Sequence, residues 1–293
     1  MSHDHIVDVP RSRLFLVLIM TFLFMIVEFV YGLISHSLAL LADAGHMLND
    51  VFSLTLALIA IQIGMLAKSP RMTYGYRRVE VLSGLINGLS LLGIGGYIIY
   101  EAFDRFFSSS AEIDGFLMLV VAIIGLLVNF VGLYLLNSHK DSGVNLEGAY
   151  HHIMADVLGS VAALVAGIGI MIFKSNLFDI IASILVSLLV FKSGVDVTRK
   201  SLEILLEASP LDAEQLVNDL KELTGVINVC DYHSWRVTKG LDLFTAHIIM
   251  EKGIDFHSIV NKATVLASEH GYTHTTFQPE FEDCSDSKDH LVC

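Results

Sequence analysis

The chain has 293 residues, of which 54% are hydrophobic and 17% are charged, and its mean hydropathy is +0.63. A soluble domain carries about a quarter charged residues, so most of this chain is predicted to lie in a lipid bilayer. The formal net charge is −13, and residues from 205 onward hold 15 acidic and 6 basic side chains. This acidic balance, without a basic patch, excludes nucleic acid as an expected partner.

Six apolar runs are long enough to cross the hydrocarbon, which takes about 20 helical residues. They occupy residues 13–34, 38–65, 79–106, 115–137, 146–173 and 177–198. If both termini lie on one side of the membrane, ten basic residues fall on that side and two on the other. The ten are Arg11, Arg13, Lys68, Arg71, Arg77, Arg78, Lys140, Lys192, Arg199 and Lys200, and the two are Arg105 and Lys174. By the positive-inside rule, both termini of this multi-pass membrane protein are cytoplasmic.

The chain is thus predicted to have a cytoplasmic N-terminal tail (1–12), a bundle of six transmembrane helices (13–204) and a cytoplasmic domain with an acidic tail (205–293). After Pro210 a helical stripe follows a cap at Ser209 or Asp212. The runs "VINVCDYHSWRVT" and "DLFTAHIIME" flank "KGL", which is typical of a β-hairpin. A second helix ending at Gly271 and a last strand, "YTHTTFQPEFE", complete the order αββαβ of a small α+β domain.

Two identical pairs of polar residues lie inside predicted spans. His46 and Asp50 in the second span, like His152 and Asp156 in the fifth, are four residues apart and project from one helix face. One such pair is weak evidence, because a buried His or Asp often only satisfies a polar neighbour. Two pairs supply the two nitrogens and two oxygens of a tetrahedral zinc site between spans two and five. Protons would compete with the metal for these groups, which is the chemistry of an antiporter.

Other polar residues in the spans have two interpretations. Asp43, one turn before His46, either orients the imidazole ring or faces water at the helix end. Asn49 is expected to point away from the pair. Interhelical hydrogen bonding is the favoured role, over a place along a transport path, for Glu28, Asn87, Asn129 and Asp179.

The stretches "LADAGHMLNDV", "YGYRRVEVLSGLINGL", "HHIMADVLGSV" and "VCDYHSWRVTKGLDLFTAHI" resemble the cation diffusion facilitator family, on its zinc-transporter branch. The resemblance covers about residues 13–280. It implies a homodimer of six-span bundles that exports Zn²⁺ from the cytosol in exchange for protons by alternating access. His46, Asp50, His152 and Asp156 would be its ligands. In this family a His at the second-span position, His46 here, is associated with zinc. Asp or Asn at that position often goes with broader or manganese specificity.

The resemblance also implies a ferredoxin-like (metallochaperone-like) fold for the cytoplasmic domain, which would dimerise. His233, His247 and Glu280 would hold a second Zn²⁺, of structural or regulatory use, with Cys284 as a candidate further ligand. The alternative for His233 is packing beside Trp235. The roles of His3, His5, Cys230 and Cys293 stay open, and cysteines facing the cytosol are expected to be reduced.

Many eukaryotic family members carry a histidine-rich loop between spans four and five, which is short here. A bacterial cytoplasmic membrane is therefore favoured, and a eukaryotic organelle or plasma membrane stays open. Two other functions are possible. A membrane-bound zinc sensor would bind metal without moving it. An intramembrane metal-dependent hydrolase would need an open coordination position and a general base, often as HExxH, which the chain lacks.

Overall fold

A computed structural model of the chain describes residues 11–108, 112–137 and 144–281, apart from the side chains at 11–15, 17–18, 54, 57–58, 61, 135–137 and 144–155. Six long helices lie where the apolar runs predict them. They are α1 (Arg11–Ser35), α2 (Leu38–Gly64), α3 (Arg78–Phe107), α4 (Gly115–Asn137), α5 (Val144–Phe173) and α6 (Leu177–Leu205). Only α6 differs from its predicted span by more than two residues, because it continues to Leu205.

Within the part of the chain that the structure describes, four helices have the length and composition to cross a membrane. They are Arg78–Phe107, Gly115–Tyr134, Asp156–Phe173 and Leu177–Leu205. A shorter apolar stretch, Ile19–Ser35, belongs to α1. The prediction of apolar helices long enough to cross a membrane is thereby confirmed for these four segments.

The chain divides into two compact units. The first contains the described residues up to 55 and residues 86–197, and the second contains residues 56–85 and the described residues from 198. The second unit therefore includes the end of α2, the beginning of α3, the end of α6 and the polypeptide that follows it.

In the first unit the helices pack through apolar and small side chains, with buried amide hydrogen bonds between them. A Cβ added to Gly125 would lie 2.5 Å from the Phe24 ring, so α4 approaches α1 closely at this glycine. Asn129 Nδ2 donates to Ser160 Oγ (3.2 Å), which confirms an interhelical role for Asn129. The main apolar cluster includes Phe24, Met25, Leu40, Met47, Met118, Val121, Ala163, Ala166 and Ala182.

Asn49 was expected to point away from the His46–Asp50 pair, and its partner lies on another helix. It is buried, and its Nδ2 donates to Asn87 Oδ1 at 2.6 Å, an interhelical role that was favoured for Asn87. The bond joins α2 to α3. Helical spacing predicted which face Asn49 lies on, but not that α3 covers that face.

The C-terminal part of the second unit has the predicted order αββαβ. Its elements are α7 (Ala213–Lys221), β1 (Val226–Thr238), β2 (Leu241–Met250), α8 (Phe256–Glu269) and β3 (His274–Glu280). The sheet order is β1-β2-β3, with β1 and β2 antiparallel and β2 and β3 parallel. Asp212 caps α7 by accepting from the Gln215 N–H, and Gly240 turns the hairpin at φ +77°. Leu216, Leu220, Phe244, Ile248, Ile259 and Tyr272 are in its core.

Polar contacts stabilise the hairpin. Arg236 donates to both carboxylate oxygens of Asp242, at 2.5 and 2.8 Å. These hydrogen bonds and the Asp242 charge raise the pKa of the Arg236 guanidinium, which stays protonated.

Candidate metal transport site

The first predicted pair lies on one face of α2, as its spacing requires. His46 Nε2 is 3.7 Å from Asp50 Oδ2. The two side chains are 18% and 30% exposed. An imidazole nitrogen and a carboxylate oxygen at this separation can bind one metal ion together after a small adjustment of their rotamers.

The second predicted pair lies on α5. Asp156 is 1% exposed. His152 is in the same helix one turn earlier, but its side chain lies outside the described part of the structure. Among the described residues, no three His, Cys, Asp or Glu side chains gather closely enough to hold a metal ion. The structure therefore provides the positions of three of the four predicted ligands.

A glycine brings α5 close to α2 beside these pairs. A Cβ built on Gly159 would lie 2.6 Å from Asp43 Oδ1, much closer than ordinary contact. A larger residue at this position would require Asp43 or one of the two helices to shift. Asp43 is one turn from His46, and Gly159 is one turn from Asp156, so the two helices meet beside the predicted ligands.

Buried carboxylates from three helices are concentrated at this point. Glu28 on α1, Asp43 on α2 and Asp156 on α5 are 0%, 3% and 1% exposed. Their charges act on one another, and Asp50 also acts on Asp43. Like charges in a low-dielectric interior repel strongly, so such a group requires cations or protons. Asp43 thus interacts with Glu28 and lies against Gly159. Helical spacing alone did not predict that Glu28 joins this group.

A second cluster of histidines and carboxylates lies on the sheet of the second unit. Asp231 Oδ1 is 2.9 Å from His233 Nε2, and Asp231 Oδ2 is 3.4 Å from His247 Nε2. His247 Nδ1 is 2.9 Å from Glu280 Oε1. The three predicted residues are thus brought together, whereas Cys284 lies outside the described residues.

Sequence reasoning missed Asp231, which links the two histidines. The pairing of β1 with β2 shifts between Cys230 and His233, and Asp231 adopts φ +46° there. This β-bulge re-aims the Asp231 side chain toward His247. The run "VCDYHSW" contains no glycine or proline that would have signalled the bulge.

Apolar membrane helices that bury carboxylates beside a histidine–aspartate pair define an integral membrane protein that handles cations. The chain matches the family model of the cation efflux transmembrane domain over residues 14–206, and it belongs to that family. The resemblance to the cation diffusion facilitators is confirmed. The chain is a multi-pass membrane transporter for metal cations and not an enzyme.

Relatives from several bacteria match nearly the whole chain. The cadmium, cobalt and zinc/H⁺-K⁺ antiporter of Bacillus subtilis is 37% identical over 96% of this chain and 93% of its own length. The zinc transporter ZitB of Pectobacterium atrosepticum is 36% identical, with 97% and 90% covered. The metal cation efflux system protein CzcD of Cupriavidus metallidurans is 34% identical, with the same coverage.

Proposed function

We propose that the chain exports Zn²⁺ from the bacterial cytosol in exchange for protons, at a four-ligand site formed by α2 and α5. The observation that supports this most directly is the close approach of Asp43 to Gly159, one turn from His46 and one turn from Asp156. The names of the relatives support zinc as the cargo and protons as the exchanged ion.

The relative direction of α2 and α5 follows from six spans with both termini in the cytoplasm. In such a chain α2 and α5 cross the membrane in opposite directions. With Asp43 beside Gly159, antiparallel helices bring His46 opposite Asp156 and, one turn further, Asp50 opposite His152. Each helix then contributes one nitrogen and one oxygen ligand, which is a tetrahedral set that zinc accepts.

The exchange follows from the charges of this site. Zn²⁺ arriving from the cytosol binds neutral imidazole nitrogens and neutralises the carboxylates of Asp50 and Asp156. When the site opens to the other side, protons bind the same nitrogens and oxygens, and the metal leaves. The protonated site then returns and releases its protons to the cytosol. Each occupant removes the buried negative charge that would otherwise oppose the change of access.

The cytoplasmic domain is proposed to hold a resident Zn²⁺ and to dimerise with a ferredoxin-like fold. His233, His247, Glu280 and Asp231 offer nitrogen and oxygen donors of the kinds that zinc accepts. Because Asp231 and Glu280 contact opposite ring nitrogens of His247, these side chains would have to rotate to surround one ion. A His247→Ala variant should lose this zinc, measured as metal per chain, because His247 contacts both carboxylates. Tyr232→Phe, on the same strand, is the matched control and should retain it. Equal zinc content in both variants would contradict the assignment.

The deciding experiment measures zinc entering proteoliposomes under a proton gradient. The unaltered chain should accumulate zinc, and Asp50→Ala should abolish accumulation because the site loses one of its four ligands. Asp104→Ala removes an exposed carboxylate from α3 and should leave uptake unchanged. Gradient-driven uptake that survives Asp50→Ala would refute the site. Zinc binding without uptake by the unaltered chain would favour the membrane-bound sensor.

A further inference from the structure

The first turn of α2 is held by a carboxylate from another helix. Asp179, in the first turn of α6, is 0% exposed. Its Oδ2 accepts from the Leu38 N–H at 2.8 Å, and its Oδ1 accepts from the Ala39 N–H at 3.1 Å. Ser37 Oγ also donates to Oδ1 at 2.6 Å. Asp179 therefore contacts the two helical residues that begin α2 and the residue before them.

These contacts complete the hydrogen bonding of this helix end. The first N–H groups of a helix have no partner within the helix. Here Asp179 accepts from two of them, and Ser37 Oγ accepts from the third, on Leu40, at 3.2 Å. The Leu41 N–H then makes the first intrahelical bond, to Ser37 O. In a buried setting each of these donors would be costly without an acceptor.

The connection before α2 leaves little freedom to the helix. Only His36 and Ser37 separate α1 from α2, and His36 adopts φ +56°. The His36 carbonyl accepts from Arg105 Nη1, and the Arg105 charge also attracts Asp179. A negative charge at a helix N-terminus is favourable to the helix dipole. Contacts from α3 and α6 thus hold the N-terminal end of α2 in place.

We propose that Asp179 is a positioning residue for the metal site, because it sets the height and rotation of the helix that carries His46 and Asp50. His46 lies about 12 Å and Asp50 about 18 Å along α2 from Leu38, at 1.5 Å per residue. A straight helix transmits a shift or rotation of its first turn to both ligands. The inference rests on the proposed function, since it names what holds half of that site in place.

The test compares three variants of the full-length chain in proteoliposomes. Asp179→Asn keeps the shape of the side chain but replaces one acceptor oxygen with an NH₂ group that faces backbone N–H donors. Zinc KM should rise by about tenfold, which corresponds to about 1.4 kcal/mol. Ser183→Ala is the matched control, because this buried hydroxyl on α6 donates only to Ile180 O of its own helix. It should leave KM unchanged.

A rescue separates positioning from other roles. Ser37→Asp, added to Asp179→Asn, places a carboxylate on the capping residue of α2 itself, where aspartate is a preferred cap. The double variant should return zinc KM most of the way to that of the unaltered chain. A residue that carried ions, or that only filled space in α6, would not be replaced from position 37. An unchanged KM in Asp179→Asn, or a raised KM that Ser37→Asp fails to lower, would overturn the proposal.

A measurement of zinc binding distinguishes a failure of this proposal from a failure of the proposed transport function. Each variant is also titrated with zinc in a His247→Ala background, which removes the proposed cytoplasmic site. If the unaltered chain shows no flux, the proposed export function fails, and the affinities still show whether Asp179 positions a metal site. If Asp179→Asn alone does not fold, recovery of folded, zinc-binding protein by Ser37→Asp supports the proposal, and no recovery overturns it.

Discussion

Replacing Gly159 with alanine should weaken zinc binding, because the added methyl group displaces Asp43 or separates α2 from α5 beside the proposed ligands. The added Cβ would lie 2.6 Å from Asp43 Oδ1 and 2.9 Å from Asp43 Cγ. Ordinary contacts begin at 3.4 Å, so Asp43 or the whole helix must move by about 0.8 Å. Zinc–ligand distances tolerate only about 0.2 Å.

Overpacking of this kind costs about 1–3 kcal/mol. If half or more of that cost falls on the metal-bound state, zinc affinity drops by about 2- to 150-fold. The assay is a zinc titration of the purified chain in the His247→Ala background, with transport KM as a second readout. Circular dichroism and thermal unfolding show whether the variant has folded.

Gly96→Ala is the matched control for this prediction. Gly96 also lies within a helix, α3, but among the described residues no atom lies within 4 Å of a Cβ added to it. The Gly96→Ala variant should therefore bind zinc as the unaltered chain does. It should unfold at the same or a slightly higher temperature, since alanine stabilises a helix by about 0.5–1 kcal/mol relative to glycine. If Gly159→Ala binds zinc as tightly as Gly96→Ala, the close approach of α2 and α5 does not shape the metal site.

Three further variants test other contacts. His46→Asp should reduce the preference for zinc over manganese in a competition uptake assay, because an oxygen replaces a nitrogen ligand; an unchanged ratio would argue against ligation by His46. Asn49→Leu leaves the Asn87 amide without its partner and should destabilise the chain by about 1–3 kcal/mol in thermal unfolding, whereas Asn49→Leu with Asn87→Leu should recover most of the loss. Arg236→Met leaves the Asp242 carboxylate without its guanidinium and should make the β1–β2 hairpin more sensitive to protease, with Arg236→Lys intermediate; equal cleavage rates would contradict the pairing.

The sequence predicted the features that local pattern determines. Apolar length located the six long helices to within two residues at all but one end, and the Asp212 cap and the Gly271 stop located the ends of α7 and α8. Four-residue spacing placed His46 and Asp50 on one face. These features depend on residues close together in the chain, so a single segment contains the information.

Features that depend on distant residues were not predictable in the same way. The approach of Gly159 to Asp43, the cap that Asp179 provides to α2 and the contact of Glu28 with the acidic group all join separate helices. Nothing in the spacing of one helix shows which neighbour covers a given face. Asp231 was missed for a local reason, because its bulge occurs in a run with strong strand propensity.

Simultaneous measurement of zinc and proton movement tests the central claim most directly. Proteoliposomes containing the unaltered chain are loaded with a pH-sensitive dye and a zinc-sensitive dye, and zinc is added outside without an imposed gradient. Exchange at the site of His46, Asp50, His152 and Asp156 predicts that zinc entry drives proton exit in a fixed ratio, and that Asp156→Asn abolishes both. Zinc entry with no proton movement, or proton movement unaffected by Asp156→Asn, would contradict it.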